Sequence, residues 1–164
     1  MVAGRYELER EIARGGMGTV WLGRDQKLGR QVAVKVMAQE LAQMSEALQR
    51  FEREALAVAQ LHSTHIVQVY DYGVQEGLPY IVMELLEGEN LGQRLKKIGH
   101  IRLDDAARIL QQICKGLKAA HGASLIHRDL KPSNIFLARR DDTEVVKLLD
   151  FGVVKAIDPL GVTG

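Results

Sequence analysis

The hydrophobic pattern of this chain changes along its length, and that change limits the possible folds more than any other feature. The first third contains short segments that alternate apolar and polar residues between glycine-containing turns, which is typical of β-strands. Later segments, above all 45–61 and 104–121, have apolar residues at helical spacing instead. The pattern therefore predicts a strand-rich N-terminal part followed by a mainly helical part, which is an α+β fold.

The predicted elements can be placed on the sequence. A helix is predicted at Ser45–Leu61, which begins with a favourable capping serine, and another at Asp104–His121, which has two aspartates at its positive end. One face of the second helix carries Ala106, Ile109, Leu110, Ile113, Leu117 and Ala120. Strands are predicted at Tyr6–Ile12, Thr19–Leu22, Gln31–Lys35, Ile66–Tyr72, Tyr80–Met83, Ile135–Ala138 and Val145–Leu149.

The composition excludes several classes of protein. With 22 basic and 21 acidic residues and a net charge of +1, the chain lacks the basic excess of a nucleic-acid-binding surface. It has no apolar run long enough to span a membrane and no N-terminal signal-peptide pattern. Its one cysteine, Cys114, cannot form an internal disulfide and is predicted to pack beside Ile113. We therefore expect a cytoplasmic chain with no membrane segment and no nucleic-acid partner.

Glu54 is an acidic residue on the apolar side of the first predicted helix. It shares a helical stripe with Phe51 and Val58, and an unpaired carboxylate that faces a core is strongly unfavourable. Either Glu54 lies at the edge of the core and reaches water, or Lys35, which ends the segment VAVK, pairs with it. The residues alone leave both interpretations open.

The last two predicted strands form a hairpin with oxygen-bearing side chains at its open end. Asn134 precedes the first strand and Asp150 follows the second, symmetrically about Asp142 in the turn, so antiparallel pairing brings them together. Asp129 supplies a further carboxylate five residues before Asn134. Such oxygen ligands suit Mg²⁺, although the polar end of a hairpin is more often simply solvated.

A glycine-rich segment, ARGGMGTV at 13–20, separates the first two predicted strands. Glycines there allow backbone N–H groups to approach phosphate oxygens closely. Because ordinary hairpins also use glycine, this segment is weak evidence when taken alone.

Taken in order, these segments resemble the signature set of protein kinases. Gly15-x-x-Gly18-x-Val20 is followed by VAVK, by Glu54 on a helix, by HRDLKPSN at 127–134 and by DFG at 150–152. The stretches GGMGTV, RFEREA and IVQVYDYG are most similar to bacterial serine/threonine protein kinases of eukaryotic type. The resemblance implies a five-stranded antiparallel N-lobe with one main helix at about 1–84, a hinge at 85–89, and the start of a helical C-lobe at 90–164.

The resemblance also implies how the chain binds ATP. The glycine-rich loop would cover the phosphates, Lys35 would contact them and pair with Glu54, and Met83 would be the gatekeeper before a hinge at Glu84–Leu86. The implied ATP contacts are Ile12, Ala13, Gly15, Gly16, Gly18, Val20, Ala33, Lys35, Met83, Glu84, Leu86, Phe136 and Asp150.

The same resemblance assigns the groups that act in the reaction. Asp129 would accept the proton of the substrate hydroxyl, and Lys131 would neutralise charge on the transferred phosphoryl group. Asn134 and Asp150 would hold Mg²⁺, or Mn²⁺ in its place. His127 would stack with Phe151, Val58 and Val69 in a hydrophobic spine and would take no part in catalysis.

Two departures from the family pattern affect the expected function. Ala13 replaces the first glycine of the loop, which we expect to be retained because alanine adopts ordinary negative φ values. The chain ends twelve residues after Gly152, where an activation loop would begin, and Thr163 is either a phosphate acceptor there or an unremarkable threonine. We also expect the apolar face of the helix at 104–121 to be partly exposed.

We therefore expect the N-terminal part of a serine/threonine protein kinase, truncated in the activation loop and inactive by itself. Its protein substrates are unknown, and a kinase-domain dimer is one possible assembly. A different interpretation is a natural half-kinase that binds nucleotide or a partner without phosphotransfer. A small-molecule phosphotransferase is a third interpretation, which HRDLKPSN disfavours.

Overall fold

A computed structural model describes residues 1–15, 18–39 and 45–151 of the chain. The chain divides into two compact units. Unit 1 comprises, among the described residues, those of Met1–Ala59 together with Val69–Leu85. Unit 2 comprises Gln60–Gln68 and the described residues from 86 to 151.

Unit 1 is built on an antiparallel sheet of five strands, which confirms the predicted sheet. The strands lie in the order β1-β2-β3-β5-β4. They are β1 (Tyr6–Gly15), β2 (Gly18–Asp25), β3 (Arg30–Met37), β4 (Val69–Gln75) and β5 (Leu78–Met83). The prediction that β4 begins at Ile66 was wrong, because Ile66 forms a bridge with Leu148 in unit 2 instead.

The strands of unit 1 carry apolar side chains on both faces. Val32 and Val34 of β3 belong to a buried cluster with Val2, Tyr6, Tyr80 and Val82, whereas Ala33, also buried, alternates with them and points to the other face. The helix α1 (Ser45–Ala59) lies against β4. Among the α1 side chains whose burial is described, Phe51, Ala55 and Val58 are buried, and Phe51 and Val58 belong to the predicted stripe.

A buried carboxylate fastens the N-terminal segment of unit 1. Asp25 is fully buried, and the Arg5 guanidinium donates to both of its oxygens at 2.9 and 2.7 Å. The backbone N–H groups of Lys27 and Leu28 donate to the same carboxylate at 3.1 and 3.2 Å. Because each contact favours the charged form, the pKa of Asp25 lies below its ordinary value, led by the bond to Arg5 and opposed by burial.

Unit 2 contains a smaller sheet of three strands in the order β6-β7-β8. Its elements are β6 (Gly88–Asn90), α2 (Leu91–Ile98), α3 (Leu103–Gly122), a 3₁₀ turn (Pro132–Asn134), β7 (Ile135–Arg140) and β8 (Thr143–Leu148). The predicted hairpin forms, but its register is centred between Asp141 and Asp142 and not on Asp142. Asn134 therefore lies opposite Leu149, whose N–H donates to its backbone oxygen at 2.9 Å, and Asp150 comes one residue later.

The sequence analysis missed β6 and α2. The start of α2 carries a capping box in which the Asn90 side chain accepts from the Gln93 N–H at 2.8 Å, and the Gln93 side chain accepts from the Asn90 N–H at 2.9 Å. An N-cap residue followed three positions later by glutamine is a recognisable helix start, so the sequence did hold this signal.

The helix α3 buries one face and exposes another. Its buried residues are Ile109, Ile113, Gly116 and Ala120, and a Cβ on Gly116 would lie 2.8 Å from the backbone oxygen of His65. Leu110 is 59% exposed, so part of the predicted apolar face faces solvent, as expected. The prediction that Cys114 packs inside was wrong: it is exposed, because it lies one turn from Leu110 on the outward face. Among the described residues, no helix is long and apolar enough to cross a membrane.

Candidate active site

The register of the strands places four of the predicted nucleotide contacts on one face of the unit 1 sheet. Val20 lies opposite Lys35, and Ala33 lies opposite Met83. Directly opposite residues point to the same face, as do residues two apart on one strand, so all four side chains share a face. Lys35 is only 7% exposed. This face therefore offers a buried cation among apolar side chains, which suits a group with an aromatic part and a negatively charged part.

The glycine-rich hairpin joins β1 to β2 at the edge of this face. The pairing of β1 with β2 has a register shift between Glu11 and Ala13, but Ala13 itself lies opposite Val20, so alanine is accommodated there, and both Ala13 and Ile12 are exposed. Gly15 lies opposite Gly18, which has a φ of 140°, and a Cβ on Gly18 would clash with the carbonyl oxygen of Val36. Gly18 is thus required by the approach of β3. The predicted contact Gly16 lies outside the described residues.

Glu54 and the segment after β5 complete the predicted contacts of unit 1. Glu54 is half-buried on α1, immediately before the buried Ala55, and both it and Lys35 take part in polar or charge interactions. A position at the boundary of the buried stripe is what both interpretations of Glu54 require. Glu84 is half-buried after β5, and Leu86, which belongs to unit 2, is half-buried as well.

In unit 2, His127 connects the segment that carries Asp129 with the segment that carries Asp150. Its Nε2 lies 2.7 Å from the backbone oxygen of Leu149, and its Nδ1 accepts from the N–H of Asp129 at 3.2 Å. A carbonyl oxygen can only accept, so Nε2 carries the proton and the ring is neutral. Burial lowers the pKa of His127, which favours the same form. Its ring lies 4.6 Å from that of Phe151, so its role is positional.

Asp129, Lys131 and Asn134 converge within unit 2. The amide nitrogen of Asn134 donates to the backbone oxygen of Asp129 at 2.9 Å and to its Oδ2 at 3.2 Å. Lys131 Nζ lies 3.6 Å from the same Oδ2. The Asp129 side chain is 16% exposed and that of Lys131 is 52% exposed. The carboxylate of Asp129 therefore lies beside the exposed cation of Lys131. The backbone oxygen of Asp129 holds the buried amide of Asn134.

The two predicted metal ligands have the oxygens that a hard cation needs. Because the nitrogen of the Asn134 amide is used by Asp129, the amide oxygen is the atom that would face a metal ion. Asp150 is half-buried and has a φ of 52°, an unusual conformation for a residue other than glycine. Among the described residues, no three His, Cys, Asp or Glu side chains form a cluster. One amide and one carboxylate fit Mg²⁺, which takes few protein ligands and completes its shell with phosphate and water.

Phe136 and Arg128 are two further residues of interest in unit 2. Phe136, one of the implied ATP contacts, is half-buried on β7 and lies opposite Asn90 of β6. Arg128 is exposed and has a φ of 62°. A residue with a strained backbone therefore comes directly before Asp129, and Asp150 is itself strained in the same way. The DFG glycine, Gly152, and Thr163 lie outside the described residues.

Known proteins resemble the chain over nearly its whole length. The family model described as the protein kinase domain matches residues 6–162. The serine/threonine-protein kinase PknA of Mycobacterium tuberculosis is 45% identical over 167 residues, which cover 99% of this chain and 38% of that protein. The probable serine/threonine-protein kinase pknA2 of Bifidobacterium longum is 42% identical over 159 residues, covering 95% of this chain and 21% of that protein.

The fold has counterparts among solved structures. The crystal structure of the M. tuberculosis PknI kinase domain matches with a TM-score of 0.82 and 28% identity, over 90% of this chain and 58% of that one. The chain thus spans well under half the length of the two curated relatives and somewhat more than half of the solved domain. The residues and the fold together show that the chain belongs to the protein kinase domain family.

Proposed function

We propose that the protein transfers the γ-phosphoryl group of ATP to serine or threonine hydroxyls of other proteins. Protein kinase domains as a class use ATP and a divalent metal ion and act on proteins. The observation that carries the proposal is the grouping of Asp129, Lys131 and Asn134 in unit 2. The names of the 45% and 42% identical relatives support the choice of serine and threonine.

The residues of unit 1 would bind the nucleotide. Lys35 contacts the α- and β-phosphates and is oriented by Glu54, while the apolar neighbours of Lys35 on the shared sheet face enclose the adenine. Its burial supports this role, since a buried ammonium needs negative partners. The proposed nucleotide contacts are Ile12, Ala13, Gly15, Gly16, Gly18, Val20, Ala33, Lys35, Met83 and Glu84 in unit 1, with Leu86, Phe136 and Asp150 in unit 2. The segment 85–89 is the proposed hinge.

The residues of unit 2 would carry out the transfer. Asp129 orients the substrate hydroxyl and accepts its proton as the hydroxyl oxygen bonds to the γ-phosphorus and the bond to ADP breaks. Lys131 neutralises the charge that develops on the transferred group. Asn134 and Asp150 would hold Mg²⁺, for which Mn²⁺ is the alternative, and such an ion would supply positive charge beside the phosphates. Positioning and charge account for this chemistry, because the phosphoryl group needs no covalent partner on the protein.

A half-kinase that binds nucleotide without transfer has no support in the comparisons. Such a module would not need Asp129 and Lys131 beside each other, since neither is required to hold a nucleotide. A cytoplasmic location remains part of the proposal, and the kinase-domain dimer is an open proposal that sedimentation of the purified protein would test.

Transfer of labelled phosphate from ATP, with and without Mg²⁺, tests the proposed function. In a chain extended to a whole kinase domain, we expect Mg²⁺-dependent autophosphorylation on serine and threonine that Lys35→Met or Asp150→Asn abolishes. The matched control is Lys118→Met, on the exposed surface of α3, which removes a lysine and leaves transfer unchanged. Undiminished transfer by either of the first two variants would contradict the assigned roles. Nucleotide binding without any transfer by that extended chain, with its wild-type residues, would favour the half-kinase.

A further inference from the structure

Arg94 joins three elements of unit 2 through one guanidinium group. Its Nε donates to Glu89 Oε1 at 2.9 Å, and its two terminal nitrogens donate to the two carboxylate oxygens of Glu144 at 3.0 and 2.6 Å. Arg94 lies on α2, Glu89 on β6 and Glu144 on β8. In the strand order β6-β7-β8, these carboxylates belong to the two outer strands. The arginine therefore spans the central strand.

Strand register explains why one arginine reaches both carboxylates. Glu89 lies opposite Leu137, and Glu144 lies opposite Arg139, two residues further along β7. Residues two apart point to the same face, so both carboxylates lie on one side of the sheet. The planar guanidinium binds Glu144 with two parallel bonds and has a third donor left for Glu89, an arrangement that lysine cannot reproduce.

The helix that carries Arg94 also contacts the turn that carries Asn134. A Cβ on Gly92 would lie 3.7 Å from the Pro132 side chain and 3.7 Å from the Ser133 nitrogen, so α2 packs closely on the 3₁₀ turn that ends at Asn134. Asp150 follows the end of β8 by two residues. Thus α2 touches the segment before one proposed metal ligand through Gly92 and the strand before the other through Arg94.

We infer that Arg94 is a positioning residue that holds Asn134 and Asp150 at the separation needed to share one metal ion. The inference rests on the proposed function, because that proposal assigns the metal to these two residues. If Arg94 is lost, Glu89 keeps its bond from Lys97 at 2.7 Å. Among the ion pairs of the described residues, Glu144 pairs with Arg94 alone, so β8 loses its ion pair with α2 and keeps its backbone pairing with β7.

The test compares Arg94→Met and Glu144→Ala with Lys97→Met in the purified protein. Lys97→Met is the matched control, because it removes a cation from the same Glu89 without touching β8. We expect the first two variants to raise the Mg²⁺ concentration for half-maximal transfer roughly three- to tenfold, and the control to leave it unchanged. Arg94→Lys should not restore the wild-type value.

A second measurement does not depend on activity. The amide of Leu149 donates to the backbone oxygen of Asn134, so its hydrogen exchange reports whether the two segments stay together. We expect faster exchange in Arg94→Met and Glu144→Ala, and wild-type exchange in Lys97→Met.

The outcomes separate this inference from the proposed function. If Mg²⁺ dependence and Leu149 exchange are unchanged in Arg94→Met, or change equally in Lys97→Met, Arg94 has no positioning role, whether or not the protein is a kinase. If the chain extended to a whole kinase domain transfers no phosphate with wild-type residues, the proposed function fails, and the exchange measurement still decides whether Arg94 fixes the two segments. If Arg94→Met fails to fold, Glu144→Ala, which changes a partly exposed side chain, tests the same positioning role.

Discussion

The two units of this chain hold their candidate functional residues by different means. In unit 1, the backbone pairing of the strands places Val20, Ala33, Lys35 and Met83 on one face of the sheet. In unit 2, Asp129 and Asn134 lie in a loop and a 3₁₀ turn, where side-chain hydrogen bonds connect them. Backbone register survives the loss of one side chain, whereas a loop held by side chains does not. Single substitutions should therefore have larger effects in unit 2.

The strained backbone of unit 2 leads to the same conclusion. Arg128 and Asp150 both have positive φ values, whereas none of the four residues on the unit 1 face does. Conformations of this kind persist only where surrounding contacts enforce them, and here His127 bonds to the residue next to each, Asp129 and Leu149. The catalytic segment is therefore more sensitive to loss of a neighbour than the nucleotide-binding sheet.

The largest expected effect comes from Asn134→Ala compared with Val20→Ala. The first removes a proposed metal ligand together with both bonds to Asp129, and we expect transfer to fall by about a hundredfold or more. The second removes an adenine contact from a face whose register is unchanged, so the KM for ATP should rise by less than about tenfold with little change in kcat. Steady-state kinetics at saturating Mg²⁺ measure both. Comparable losses in the two variants would contradict the proposed difference between the units.

A backbone contact is the place where unit 1 should be vulnerable. Gly18→Ala puts a methyl group against the Val36 carbonyl at a φ of 140°, so we expect the free energy of unfolding to fall by about 2–4 kcal/mol. Gly15→Ala, at the opposite position of the same hairpin, meets nothing within 4 Å and should change stability by less than about 1 kcal/mol. Urea unfolding followed by the fluorescence of Trp21, the one tryptophan, gives both values. Equal stabilities would show that β3 does not require glycine there.

Most elements that were predicted have a local signal, although α2, whose capping box is also local, was missed. Features that depend on a distant partner were predicted wrongly. The alternating pattern of 31–35 and the helical spacing of Phe51, Ala55 and Val58 each indicate an element directly, and the structure has them. By contrast, Ile66 and Val67 have a strand-like sequence, yet they pair with Leu148, which is distant in the sequence. No local pattern shows such a partner.

The candidate site shows the same division. Motif spacing singled out Asp129, Lys131 and Asn134, and the structure brings these three together. The hairpin pattern predicted that Asn134 lies opposite Asp150. In the structure the two are offset by one residue, because a two-residue turn moves the register centre to a point between residues 141 and 142. Arg94 could not be identified from the sequence, because its partners lie five residues before it and fifty after it.

The smallest expected effect concerns the acid stability of unit 1. The bond from Arg5 holds the pKa of Asp25 below its ordinary value of 3.8, so folding favours the charged carboxylate. This contribution is complete above pH 3.8 and is lost as the pH falls below that value towards the pKa of the folded state. Asp25→Asn should thus be less stable than the wild type near neutral pH, and the two should converge in acid. Urea midpoints from Trp21 fluorescence at a series of pH values measure this.

The matched control for Asp25→Asn is Asp142→Asn, in the exposed turn of unit 2, which should leave the pH dependence of the Trp21 signal unchanged. Parallel curves for the wild type and Asp25→Asn would mean that folding does not favour the charged form of Asp25, and so would contradict the lowered pKa attributed to Arg5. Convergence would instead show that the Arg5–Asp25 contact stabilises unit 1. Unit 1 would then depend on one side-chain contact, as unit 2 does, although its nucleotide face depends on strand register. That contact fastens residues 1–5 to the turn between β2 and β3, away from the face that carries Lys35, so its loss should lower stability without changing the KM for ATP.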